Sequence, residues 1–149
     1  MYRRGRSEPE VLLVHPGGPF WMKKDDGAWS IPKGLYEANE DPLQAARREF
    51  AEETGCRADG AFIELGSFKQ PSGKIISAWA LEGNFDAGSL RSNTFSMEWP
   101  PKSGRMETFP EVDRAEWFTP PVARKKLVKG QIEIIDALLD KLAIRSSGV

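Results

Sequence analysis

"GLYEANEDPLQAARREFAEETGC", residues 34–56, opens on a glycine, turns regular at Pro42 and closes on a second glycine. Leu43, Ala46 and Phe50 recur at the spacing of three, four and seven, which predicts an amphipathic helix over residues 40–55. Asp41 suits the N-cap, Pro42 the first helical position and Gly55 the left-handed position past the last turn, while Gln44 completes a capping-box-like pattern. On that helix Glu49, Glu52 and Glu53 fall within an arc of about 100°. Carboxylates so spaced repel by roughly 0.2 to 0.5 kcal/mol per pair, so the helix needs a compensating charge. Arg48 supplies one candidate by pairing with Glu52 at i+4. A bound Mg²⁺ or Mn²⁺ supplies the other, because hard divalent cations prefer carboxylate oxygen.

Outward from this segment, "EVLLVHP" (10–16) reads as a strand, and "AFIELGSFKQ" (61–70) with "IISAWALEGN" (75–84) as a hairpin around "PSGK". "RAEWFT" (114–119) is a further short strand. Residues 86–111 are rich in Gly, Ser and Pro and are expected to be mostly loop, with a possible short strand at "NTFSMEW" (93–99). "PPVARKKL" (120–127) starts a helix with prolines. "QIEIIDALLDKL" (131–142) places Ile132, Ile135, Leu138, Leu139 and Leu142 on one packing face. Strands and helices interleave with no repeat or linker, so one layered α/β or α+β domain over residues 1–149 is expected.

Composition narrows the classes. The chain has 149 residues, 40% hydrophobic and 29% charged, the balance of a globular domain able to bury one sizeable core. One cysteine excludes an intramolecular disulfide framework, and one histidine with it argues against a Cys/His zinc site. A reducing, cytoplasmic setting is expected, and no apolar run such as "VLLV" is long enough to span a bilayer. With a net charge of −1 there is no global basic field for nucleic acid, so anionic partners must be recognised locally.

The 34–56 segment resembles the Nudix box, G-x5-E-x7-R-E-U-x-E-E-x-G-U, where U is a bulky apolar residue. Gly34, Glu40, Arg48, Glu49, Phe50, Glu52, Glu53 and Gly55 fill the pattern, and only Cys56 departs, as a small hydrophobe. The resemblance implies a Nudix fold, a mixed β-sheet sandwiched between helices, and hydrolysis of a diphosphate linkage in a nucleoside diphosphate derivative. It assigns cation binding to Glu49, Glu52 and Glu53 with help from the Gly34 carbonyl, and an ion pair bracing loop and helix to Glu40 and Arg48. In that reading Arg48 leaves the other glutamates free for metal.

"WSIPKG" (29–34) is similar to the entry motif of dinucleoside polyphosphate and diphosphoinositol polyphosphate hydrolases. Lys33 is therefore expected to hold a phosphate oxygen, with Lys69 and Lys74 as weaker phosphate ligands. "FPEVDRAEWF" (109–118) is similar to the region carrying an additional glutamate in the dinucleoside polyphosphate group. That puts Glu111 forward as a further ligand or general base, with Glu98 as its competitor. Phe20, Trp21, Trp99 and Phe109 are candidates for base stacking, less favoured than ordinary packing, and His15 is expected to be a surface or packing residue.

A dinucleoside polyphosphate is the favoured substrate, handled by a monomer or homodimer. A nucleoside triphosphate, an inositol pyrophosphate, or nucleotide sensing without turnover are the alternatives. Nudix domains usually carry a strand ahead of the segment matching "VLLV". Here only "MYRRGRSEPE" precedes it, so the amino terminus is expected to be shortened or misassigned, with residues 2–4 as the remnant of that strand; were the strand absent, a sheet edge would be left unpaired.

Overall fold

A computed structural model describes residues 1–33 and 39–147, with the backbone alone for 144–147. In chain order the elements are β1 (Tyr2–Arg4), β2 (Pro9–Pro16), α1 (Pro42–Thr54), β3 (Ile63–Lys69), β4 (Ile75–Ala80), β5 (Thr94–Glu98), β6 (Met106–Pro110), β7 (Val112–Phe118), α2 (Pro120–Lys126) and α3 (Ile132–Ser147). Single turns of 3-10 helix follow β4 and α2. Among the described residues no helix is long and apolar enough to cross a membrane.

β2 explains the architecture. Its four apolar residues point alternately to opposite faces, and all four are buried. Val11 and Leu13 join Trp29, Phe118, Ala123, Leu127, Ile135 and Leu138 in one core, under α2 and α3. Leu12 and Val14 join Phe50, Val112 and Ala115 in the other, under α1. A strand covered on both faces reads as an unbroken apolar run, which is what "VLLV" is. Burying each such side chain stabilises the fold by about 1.5–3 kcal/mol. Ile132, Leu139 and Leu142 pack against the first core beside Ile135 and Leu138, so the stripe on α3 is packing, as expected.

The strands form β1-β2-β7, β3-β4 and β5-β6 ladders, all antiparallel, and isolated parallel bridges at Tyr2–Glu82 and Trp29–Leu127 make the arrangement mixed. This is an α+β fold of sheets between helices. Residues 2–4 form β1, the strand expected there as a remnant, so the sheet edge that its absence would have left open is paired. Tyr2 pairs with Val11, donates its N–H to the Leu81 carbonyl (2.9 Å) and accepts from the Gly83 N–H (2.9 Å). β1 thereby links β2 to the chain leaving β4.

Residues 86–111 also differ from the expected loop. β5 and β6 form a hairpin with Phe95 opposite Phe109 and Ser96 opposite Thr108. The Pro, Gly and Ser residues that suggested loop are concentrated in its tip, residues 99–105. β5 alternates Phe95 and Met97 with polar residues, the strand expected within 93–99, whereas β6 is exposed along most of its length and shows no alternation.

α1 begins and ends where its capping residues predict. Asp41 accepts the Gln44 N–H (3.1 Å), and Gly55 takes φ 77° while its N–H caps Ala51. The Gln44 side chain accepts from Arg47 Nη1 (3.2 Å). The buried positions are Ala45, Phe50, Glu53 and Thr54, with Leu43 and Ala46 half-buried beside a cavity of about 100 Å³. A glutamate therefore occupies the inner stripe.

Candidate active site

Helical spacing sends Pro42, Ala46, Glu49 and Glu53 to one face of α1, with Ala45 and Glu52 at its margin. Glu53 is 8% exposed, and its Oε2 accepts the backbone N–H of Lys33 at 3.0 Å. Burial pushes its pKa up to about 7, the Lys33 bond opposes this, and Glu49 and Glu111 add like charge. Glu49 is also raised, first by burial and then by Glu52, with a further contribution from Glu111. Desolvation plus crowding by like charges is the pattern of a site awaiting a counter-charge.

Glu111 comes from the opposite end of the chain. The Asn93 N–H donates to the Glu52 carbonyl (2.8 Å), and the Asn93 carbonyl accepts the Glu111 N–H (2.8 Å). The Glu111 carbonyl in turn accepts from Gly17 (2.9 Å). Asn93 thus ties the Glu111 backbone to α1, a link that sequence reading missed because a backbone relay leaves no side-chain signature. Glu98 has no such link; its Oε1 accepts the Lys102 N–H (2.6 Å) in the hairpin tip.

Arg48 does more than brace Glu40. Its Nε and Nη2 reach the two Glu40 oxygens (3.1 and 3.2 Å), while Nη1 reaches Glu49 (2.8 Å) and Glu52 (3.4 Å). The expectation that it leaves the other glutamates free is corrected: a guanidinium with five donors spans all three. Those partners hold its own pKa above the usual arginine range.

An all-oxygen donor set on one helix face fits a hard divalent cation, which would relieve both the burial and the like-charge crowding that raise Glu49 and Glu53. Among the described residues no three acidic, His or Cys side chains already converge as a ligand cluster. Gly34, expected to add a carbonyl ligand, lies outside the described residues.

The lysines divide. Lys33 and Lys74 line one cleft of about 920 Å³, joined by Lys129, which the sequence gave no reason to select. Lys69 does not line it. Of the aromatic candidates, Phe20 and Trp99 meet edge to face at 5.4 Å, Phe109 lies 5.9 Å from Phe95, and Trp21 sits under Lys24. All four belong to the β5–β6 hairpin or the loop beside it. His15 is fully buried: Nδ1 lies 2.7 Å from Asp113 Oδ1 and Nε2–H donates to the Lys24 carbonyl (2.6 Å). It is a packing residue, as expected.

The double-cored sheet and the glutamate-bearing helix define the class. Residues 2–138 match the family model described as NUDIX domain, and the chain belongs to that family. Over 125 residues, 83% of the chain, it is 31% identical to an octanoyltransferase of Myxococcus xanthus, of which the match covers 30%. Over 30 residues, 20% of the chain, it is 57% identical to an RNA pyrophosphohydrolase of Bartonella henselae, of which the match covers 17%. The chain thus spans less than a third of either relative. A C. elegans Ap4A hydrolase in a binary complex shares the fold at a TM-score of 0.63 and 19% identity, over 95% of this chain and 93% of that one.

Proposed function

We propose that this chain is a divalent-cation-dependent pyrophosphohydrolase acting on a nucleoside diphosphate derivative, with a dinucleoside polyphosphate as the favoured substrate. The observation that carries the reading is the burial of Glu53 beside Glu49 on α1, with Glu111 near enough to add like charge to both and its backbone tied to α1 through Asn93. Glu49, Glu52 and Glu53 hold the cation, Mg²⁺ or Mn²⁺. When bound, that ion neutralises phosphate oxygen charge and makes water a better nucleophile.

The chain's own groups do the rest. Lys33 offers its ammonium to a phosphate oxygen, while its backbone N–H keeps Glu53 in place. Glu111 accepts the proton released as water adds to a bridging phosphorus, and the P–O bond to the departing phosphate breaks. Arg48 and Glu40 keep the helix start in register with the acids.

The experiment is a turnover panel in Mg²⁺ and in Mn²⁺. It contains dinucleoside polyphosphates, nucleoside triphosphates, nucleotide sugars, inositol pyrophosphates and a 5′-triphosphate RNA. Fastest turnover on a dinucleoside polyphosphate is expected. Fastest turnover on another member reassigns the substrate, and none on any of them defeats the enzyme reading in favour of nucleotide sensing.

A further inference from the structure

The cleft of about 920 Å³ lies between the first half of α1, the β3–β4 turn and the stretch 128–131 that joins α2 to α3. Its near end borders the glutamate-bearing helix. Lys33, on its lip, is bonded through its backbone to Glu53, and Ala45, on its wall, sits one helical turn before Glu49. A phosphate chain extending from the carboxylates along this face of α1 therefore runs into the cleft.

The charge of the cleft is one-sided. Among the described residues lining it, Lys33, Lys74 and Lys129 are the charged ones, and no acidic side chain accompanies them. In a chain of net charge −1 this is a local reversal of sign. Elsewhere a lysine near a wall is neutralised, as Lys126 is by Asp25 (2.7 Å) and Asp26 (3.1 Å). None of the three cleft lysines is ion-paired with a described residue.

The far wall is built, not incidental. Gln70 Nε2 donates to the Gly130 carbonyl (2.8 Å), tying the β3–β4 turn to the 128–131 stretch. The Gln70 N–H donates to the Lys74 carbonyl (2.7 Å), which closes the turn. Lys74 and Lys129 are thereby fixed on adjoining segments, opposite α1.

We propose that Lys74 and Lys129 form an anion subsite for the phosphates lying beyond the cleaved linkage, which makes the enzyme selective for long phosphate chains. The inference rests on the polyphosphate-hydrolase reading for its kinetic consequence, but not for binding. A two-phosphate substrate ends before reaching these lysines. A tetraphosphate reaches them and gains two point charges.

Two measurements on the full chain test this. Titration with inorganic tripolyphosphate, read by calorimetry, is expected to show at least fivefold weaker binding to the double variant Lys74→Gln/Lys129→Gln. The exposed control pair Lys125→Gln/Lys141→Gln, with the same change of net charge, binds like the wild type. Arginine at both cleft positions restores affinity. Equal tripolyphosphate affinity in the wild type and the cleft variant, or an equal loss in the control pair, overturns the subsite.

In the second measurement, the ratio of kcat/KM for diadenosine tetraphosphate to that for ADP-ribose is expected to fall at least fivefold in the cleft variant, mostly through KM. An unchanged ratio overturns the selectivity. Should the wild type turn over no diphosphate at all, the hydrolase reading falls, while the tripolyphosphate titration still decides the subsite.

Discussion

Glu53 accepts the Lys33 N–H at 3.0 Å, yet its pKa stands at about 7, because burial outweighs the one hydrogen bond that favours its anion. Its ordinary value is 4.5, so between pH 4.5 and 7 the native state holds a proton that the unfolded chain has released. Stability of the cation-free protein then falls as pH rises through that window and stays low above it. The loss is at most roughly 3 kcal/mol. Thermal melts in chelator from pH 4.5 to 8 check this. Glu53→Gln, whose amide oxygen can still accept from Lys33, is expected to flatten the slope and melt above the wild type at pH 8. Identical slopes in the two proteins defeat the assignment. The same variant is expected to lose at least about 100-fold in kcat.

Arg48 joins Glu40, Glu49 and Glu52. The side chain is 41% exposed, so solvent screening limits what these pairs contribute and Arg48→Ala is expected to change stability little. The larger consequence is geometric: turnover falls about tenfold and the cation concentration for half-maximal activity shifts. Arg48→Lys does not restore either, since a point charge cannot bridge three carboxylates. Unchanged turnover and cation affinity in Arg48→Ala would show that the bracing is dispensable.

Glu111 and Glu98 are told apart by their surroundings. Glu111 contributes like charge to Glu49 and Glu53, whereas Glu98 caps the hairpin tip at Lys102. Glu111→Gln is expected to reduce kcat at least about 100-fold with the fold intact, the range for loss of a general base. Glu98→Gln is expected to stay within about twofold of the wild type in kcat. A fully active Glu111→Gln enzyme removes Glu111 from the mechanism.

Gly17 holds Glu111 from outside the site. A methyl group at Gly17 would sit 2.0 Å from the Pro110 carbonyl oxygen, which is backbone and cannot swing away. Gly17→Ala is therefore expected to displace the segment entering β7, break the Gly17–Glu111 bond and lower kcat about tenfold. Circular dichroism and kcat together read this, and wild-type kcat in a folded Gly17→Ala protein counts against positioning through Gly17.

The cores were legible because their signals are local. "VLLV" is short and wholly apolar, and Asp41, Pro42 and Gly55 mark the ends of α1 through backbone needs that only such residues meet. Of the β5–β6 hairpin only β5 was legible, as the short strand expected within residues 93–99; β6 faces solvent along most of its length and carries no alternation. Residues 2–4 were legible as the remnant of a strand, but not their bond to Leu81, far along the chain.

By itself the sequence determined the glutamate-bearing helix, its caps and the placing of three glutamates on one face, because helical periodicity turns spacing into direction. Only the tertiary structure decided which distant groups meet that face. It tied the Glu111 backbone to α1 through Asn93, raised Glu53 by burying it, and set Lys74 and Lys129 on the walls of one cleft. Those are contacts between segments tens of residues apart, and spacing along a chain carries no distance across a fold.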